Sequence, residues 1–233
     1  MNIIPVLDLM NGQVVHAKHG DRAHYLPIQS VLCDSSQPVN IVEALLELYP
    51  FKQLYIADIN AIQKNGHHQN IISSIVLAFP GLEIYLDAGF SSIGEINTFN
   101  KIKVIPVLGS ESISSIDDYQ AINKSHQKRM LLSLDFKNDV YQGPTALLQD
   151  SRFWPNEIIV MSLSKVGSQS GPDLEKLKHV KQTSPQTKIY AAGGVRNAND
   201  LEMLKLENID GALIASAIHN GNLNQKDLIK IQA

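Results

Sequence analysis

The chain has 233 residues, 44% of them hydrophobic and 18% charged, with a net charge of −3. That balance offers no basic field to nucleic acid, and the single cysteine, Cys33, excludes an internal disulfide or a cysteine-built zinc site and fits a reducing cytosol. No apolar run approaches bilayer length and no signal-peptide pattern opens the chain, so a cytoplasmic protein with no membrane or nucleic-acid partner is expected.

Strand and helix signals alternate along the chain. A strand is predicted over 3–8, ending in Asp8. A polar stretch over 13–37, rich in Gly, His and Asp, reads as a long loop with room for a hairpin, suited to act as a substrate lid. A helix over 39–49, a strand over 53–58, a helix over 70–78, a strand over 83–87, a helix over 92–99, a strand over 103–108 and a helix over 114–123 follow. The second half gives a strand over 130–135 ending in Asp135, a short helix over 145–150, a strand over 157–162 and a helix over 174–182. A strand over 188–192, a helix over 199–207, a strand over 211–215 and a final helix over 225–231 complete it. Ser92 and Asn199 read as N-cap or first-turn residues, and Pro80-Gly81 and Pro185 mark helix-to-strand returns. Eight βα units with short connections predict a single domain over 1–233, a closed (β/α)8 TIM barrel.

The units repeat. Leu7-Asp8-Leu9-Met10-Asn11-Gly12-Gln13-Val14 matches Leu134-Asp135-Phe136-Lys137-Asn138-Asp139-Val140-Tyr141. Ile84-Tyr85-Leu86-Asp87-Ala88-Gly89-Phe90-Ser91 matches Ile189-Tyr190-Ala191-Ala192-Gly193-Gly194-Val195-Arg196. Val107-Leu108-Gly109-Ser110-Glu111 matches Leu213-Ile214-Ala215-Ser216-Ala217. A period of half the chain predicts a duplicated half-barrel, with halves of about 1–115 and 116–233.

The strand ends carry the chemistry. An apolar strand that ends in Asp puts a charge at a barrel rim, where it is costly unless solvated or used. Asp8 and Asp135 fall at related positions in the two halves, so a catalytic pair is expected, one carboxyl giving a proton and the other taking one. A lone Asp would more often cap its turn; the symmetry argues against that here. Gly193, Gly194, Ala215 and Ser216 follow the seventh and eighth strands, where barrels often hold a phosphate on backbone N–H groups. Glycine suits that place because a Cβ would hold the anion off the backbone. The repeat predicts a second phosphate site from Gly89, Ser91, Gly109 and Ser110, and two such sites across a barrel would suit a molecule phosphorylated at both ends. Arg22 on the lid, and Ser168 and Gly171 on the loop after the sixth strand, are candidate substrate contacts. His16, His19 and His67-His68 lack a clustered carboxylate in a ligand pattern, so no metal and no other cofactor is expected.

Ile4-Pro5-Val6-Leu7-Asp8, Leu134-Asp135, Ser168-Gln169-Ser170-Gly171-Pro172-Asp173 and Ala192-Gly193-Gly194-Val195 together resemble the histidine-biosynthesis barrel family. That family includes the phosphoribosylformimino-aminoimidazole-carboxamide ribotide isomerase and the cyclase subunit of imidazole glycerol phosphate synthase. The resemblance implies an Amadori rearrangement of a bisphosphorylated aminoaldose. It makes Asp8 the base at C2, Asp135 the acid that helps open the ribose, Gly194 and Ser216 the holders of one phosphate, and Gly89 and Ser110 the holders of the other. The chain departs from the isomerase pattern at two places. Ala88-Gly89-Phe90-Ser91 stands for Gly-Gly-Ile-Arg, and Val166-Gly167-Ser168 stands for Asp-Gly-Thr. The first loop, with Gly20-Asp21-Arg22 and the run from Pro27 to Cys33, resembles a divergent branch of archaea and C1-utilising bacteria, as do Tyr55-Ile56-Ala57-Asp58-Ile59-Asn60-Ala61-Ile62 and Gly109-Ser110-Glu111. That likeness implies a phosphorylated intermediate of methanopterin-linked one-carbon metabolism. Three readings compete: the histidine-pathway isomerase, a divergent enzyme on another phosphorylated metabolite, and a non-catalytic phosphometabolite-binding barrel. All three take a small phosphorylated molecule as partner, with the chain acting as a monomer or a homo-oligomer.

Overall fold

The computed structural model describes residues 1–126, 129–168 and 170–232. Eight parallel strands form the ring: β1 (Asn2–Met10), β2 (Gln53–Asp58), β3 (Glu83–Asp87), β4 (Val104–Gly109), β5 (Leu131–Lys137), β6 (Glu157–Ser162), β7 (Lys188–Ala192) and β8 (Gly211–Ile214). Each pairs with the next, and β8 closes on β1 with Asn2 opposite Gly211 and Pro5 opposite Ile214. The fold is the (β/α)8 TIM barrel that alternating strands and helices predict. No helix among the described residues is long and apolar enough to cross a membrane.

Side-chain alternation along the strands divides the core in two. Ile3, Leu7, Leu54, Ile56, Ile84, Leu86, Leu132 and Leu134 point outwards and pack under the helices. Ile4, Tyr55, Tyr85, Val107, Leu131, Ile159, Tyr190 and Leu213 fill the barrel. The N-terminal end of the ring is plugged by Arg129, which donates to Glu157 (2.6 Å), Glu83 (2.8 Å) and the Tyr85 hydroxyl (2.8 Å). Tyr190 donates to Glu157 from inside. With that end sealed, a ligand enters from the other.

Helices lie where the periodicity predicts, shifted by a residue or two at their ends. Ser92 is the N-cap of Ile93–Asn97, accepting from Glu95 N–H. Asn197 rather than Asn199 caps Ala198–Leu206, accepting from Asp200 N–H, so Asn199 lies in the first turn.

Two strands run two residues past their predicted ends. β1 continues beyond Asp8 and turns back through Asn11-Gly12 into Gln13–His16, with Met10 opposite Gln13. β5 continues beyond Asp135 and turns through Asn138-Asp139 into Val140–Gln142, with Lys137 opposite Val140. All four turn residues have positive φ (51°, 82°, 50° and 62°), the conformation of a two-residue type I′ hairpin, which Asn, Asp and Gly tolerate best. Both halves thus carry a hairpin beside their aspartate.

The first hairpin is pinned from below. Asp58 is wholly buried and accepts from His68 N–H (2.6 Å), His68 Nδ1 (2.8 Å) and Ala61 N–H (3.1 Å). Because Gly12 N–H donates to His68 Nε2 at 2.9 Å, the imidazole proton sits on Nδ1 and points at Asp58. Asp58→Ala would leave these donors without an acceptor. It is expected to lower the unfolding free energy by about 3 kcal/mol, read from the urea midpoint. A change below about 0.5 kcal/mol would show that the pin does not hold the hairpin.

Candidate active site

The same alternation that fills the barrel also aims its carboxylates. On β1, Ile4, Val6 and Asp8 share the inner face; on β5, Leu131, Ser133 and Asp135 do; on β3, Tyr85 and Asp87 do. Each aspartate is the last inward residue before its strand leaves the ring, so all three reach the C-terminal mouth. They line one cavity, partly open to solvent. Asp87 and Asp135 converge on Gly109, where a Cβ would stand 3.4 Å and 3.2 Å from their Oδ2 atoms. A side chain at 109 would crowd the pair.

Burial sets their chemistry. It pushes Asp135 up to about 8, with Asp87 and Glu111 adding to the rise, although Ser133 donates to Oδ1 at 2.6 Å and Glu111 N–H to Oδ2 at 3.1 Å. Asp8 is pushed up to about 7 by burial; Arg22 opposes the shift and Asp87 adds to it. Asp87 rises to about 6, again by burial, while Gly89 N–H (3.0 Å) and the Tyr55 hydroxyl (3.2 Å) donate to it and hold it lower than its neighbours. Tyr55 is itself kept protonated by burial and by Asp87. Near neutral pH the cavity therefore holds a carboxylic acid and a carboxylate side by side, the state that proton transfer requires.

The stretch over 13–37 forms a lid. Its strand Leu26–Pro27 adds to the β1 hairpin, with His16 opposite Leu26. It is latched to the loop after β6 by His19 N–H to the Val166 carbonyl (2.8 Å), and to the loop after β8 by Val31 N–H to the His219 carbonyl (2.9 Å). Gly167 (φ +65°) lies against the Ala17 carbonyl, where no Cβ would fit. Arg22 and Tyr25 reach into the cavity, and Arg22 pairs with Glu111 across the mouth.

The predicted site residues separate by half. Gly193, Gly194, Ala215 and Ser216 line the cavity, as do Ser168, Arg22, Asp8 and Asp135. Gly193 and Gly194 have φ of +96° and +92°; a Cβ at 193 would stand 2.5 Å from the Ser162 carbonyl, and one at 194 would meet the Gly171 carbonyl. Gly171 thus sits behind the cradle rather than in it, and Gln169 of the same loop lies outside the described residues. Ser216 Oγ is 3.0 Å from His16 Nε2, a lid contact that sequence reading missed. Among the described residues no group of three or more His, Cys, Asp and Glu is placed to hold a metal ion.

Gly89, Ser91, Gly109 and Ser110 are arranged differently and do not line the cavity. Ser110 is wholly buried, donates to the Gln142 carbonyl (2.6 Å) and accepts from Asp135 N–H (2.9 Å). Ser91 donates through N–H and hydroxyl to Glu95. In their place the first half brings Asp87, Tyr55 and Glu111 to the mouth. Asp87 was legible by position, since it ends its strand two residues after an inward Tyr85 just as Asp8 follows Val6.

The sequence profile described as histidine biosynthesis protein matches residues 2–224. The chain belongs to the histidine biosynthesis protein family. An uncharacterized protein of Methanocaldococcus jannaschii is 34% identical over 233 residues, covering 98% of each chain. Two members named as 1-(5-phosphoribosyl)-5-((5-phosphoribosylamino)methylideneamino) imidazole-4-carboxamide isomerase are more distant. The Oceanobacillus iheyensis protein is 25% identical over 99% of this chain and 98% of its own, and the Clostridium botulinum protein 24% identical over 99% and 97%. Stronger similarity to the archaeal protein accords with a divergent branch of the family.

The raised carboxyls have a consequence for stability. Asp8, Asp87 and Asp135 all start from an ordinary value of 3.8 and are higher in the folded chain. At these three groups the folded state binds more protons than the unfolded one from about pH 4 to about pH 8, and their contribution to stability falls as pH rises through that window. Asp87→Asn removes one such group. It is expected to match the wild type near pH 4 and to exceed its unfolding free energy by about 2 kcal/mol at pH 8, measured by urea denaturation. A variant less stable than wild type at pH 8 would contradict the assigned direction.

Proposed function

We propose that this family member is an aldose–ketose isomerase of the Amadori type, acting on a phosphorylated aminoaldose in the cytosol. The observation that carries the reading is the pairing of Asp8 and Asp135 over one cavity, with acidities brought near neutrality and set in an order that suits acid and base. Asp135, the higher, holds a proton at neutral pH and gives it to the ring oxygen, so that the C1–O bond breaks and an iminium forms. Asp8, the lower, takes the proton from C2, and the electron pair moves to form the C1=C2 enaminol. Return of a proton to C1 and loss of the hydroxyl proton at C2 give the aminoketose. No atom leaves, and no oxidant or cofactor is needed.

The Gly193-Gly194 and Ala215-Ser216 backbone would hold the phosphate and fix the reacting carbons between the two carboxyls. The lid, latched at Val166 and His219, excludes water that would discharge the iminium. Residues on the lid, in the turn after β3 (Ala88-Gly89-Phe90-Ser91) and in the loop after β6 (Val166-Gly167-Ser168) differ from the isomerase pattern, and that difference favours a substrate other than the histidine-pathway compound.

The test is turnover of aminoaldose phosphates, the histidine-pathway one among them, by the wild type, Asp8→Asn and Asp135→Asn. Each variant is expected to lose roughly a thousandfold in kcat with its fold intact. In the wild type kcat should peak between about 7 and about 8, where Asp8 is ionised and Asp135 is not. Wild-type turnover that persists in both variants would remove the pair from the mechanism. Tight binding without any turnover would favour the binding barrel.

A further inference from the structure

The two halves meet the mouth with opposite charge preferences. Where β7 ends in Ala192, the related strand β3 ends in Asp87. Where Gly194 faces the cavity, the related Gly89 has its N–H donated to Asp87 Oδ1 at 3.0 Å. The other donors of the first half are also taken by the chain itself. Ser91 N–H and hydroxyl go to Glu95, at 2.7 Å and 3.1 Å, as the related Arg196 N–H goes to Asp200 at 2.8 Å, so the halves differ at Asp87 and not in this turn. Glu111 N–H goes to Asp135, and the Ser110 hydroxyl goes to the Gln142 carbonyl. Lys64, the nearby cation, is tied to the Gly89 carbonyl (2.6 Å) and to Glu95 (2.9 Å). A phosphate at this end would have to displace a carboxylate from its donors and then stand beside Glu111.

We propose that the substrate carries one phosphate, held at the Gly193-Gly194 side, and that its other end presents hydroxyl or amino donors to Asp87 and Glu111. This rests on the reading above that the second half holds phosphate, and it narrows the substrate class to monophosphorylated amino or polyhydroxy compounds. The Asp87 carboxyl occupies the anion position of the first half and accepts from Gly89 as a phosphate oxygen would. An uncharged or cationic group can approach Asp87 and Glu111 without like-charge repulsion; a second phosphate cannot.

Inorganic phosphate, ribose 5-phosphate and ribose 1,5-bisphosphate are the probes, with binding read by titration calorimetry on the full chain. The wild type should take one inorganic phosphate per chain and bind the bisphosphate no more tightly than the monophosphate. Ser216→Asp, its fold checked by circular dichroism, should abolish phosphate binding. Asp87→Gly should tighten the bisphosphate by roughly tenfold or more by removing the like charge. Two phosphates per chain would overturn the proposal. So would a wild-type preference for the bisphosphate of roughly tenfold, which would mean that Arg22 leaves Glu111 for the second anion, or an Asp87→Gly variant with no gain. Failure of all three probes to bind would remove the retained cradle as well. These readouts do not use turnover. One bound phosphate with turnover unaffected by Asp8→Asn and Asp135→Asn would sink the isomerase mechanism alone; two with turnover abolished would sink this proposal alone.

Discussion

Three carboxyls facing one cavity at the barrel mouth are the constraint on which this structure turns. A closed ring leaves an inward residue at a strand end no other direction, so Asp8, Asp87 and Asp135 share one volume whatever their mutual repulsion. Three ionised groups there would lose hydration without gaining an equal number of cations, since Arg22 is already paired with Glu111. The chain keeps part of the set protonated. Neighbouring charges and hydrogen bonds together grade the result: Asp87, with donors from Gly89 and Tyr55, titrates lowest, and Asp135, raised by Asp87 and Glu111 despite its own donors, titrates highest.

Around that centre the two ends of the barrel divide the work. The N-terminal end is locked by Arg129, Glu83, Glu157 and two tyrosines, and holds the ring shut. The C-terminal end is loops and a lid tied down by backbone latches. A lid held by His19 to Val166 and Val31 to His219 can open locally without disturbing the barrel, as substrate entry requires. His219 beneath it is pushed down to about 4 by burial and by His16, so it stays neutral and adds no charge beneath the lid.

Much of this was legible in the sequence. The alternation of short apolar runs with helical periods gave the barrel, and carboxylates closing two related strands gave Asp8 and Asp135. The Gly-Gly after β7 marked backbone with φ near +90°, which only close approach to neighbouring carbonyls requires. The hairpins after Asp8 and Asp135 were half visible, since Asn11-Gly12 is a strong type I′ signal and Asn138-Asp139 a weaker one. What escaped depended on three-dimensional neighbours. Ser110 matches Ser216 in the repeat, and each meets the hairpin of the neighbouring strand, but the Gln142 backbone carbonyl takes the Ser110 hydroxyl where the His16 side chain meets Ser216. The Arg22–Glu111 pair links positions far apart in the chain, so no local pattern announces it. Glu95 occupies the turn at Ser91 through a contact of four residues, as Asp200 does at Arg196.

The central claim is that the mouth keeps a protonated aspartate at neutral pH. The direct measurement is a ¹³C NMR titration of the aspartate carboxyl carbons in the intact chain. The account predicts at least one carboxyl still protonated at about pH 7, whose signal disappears in Asp135→Asn. Complete ionisation of every aspartate by about pH 5 would contradict it, and with it the acid–base assignment on which the proposed chemistry stands.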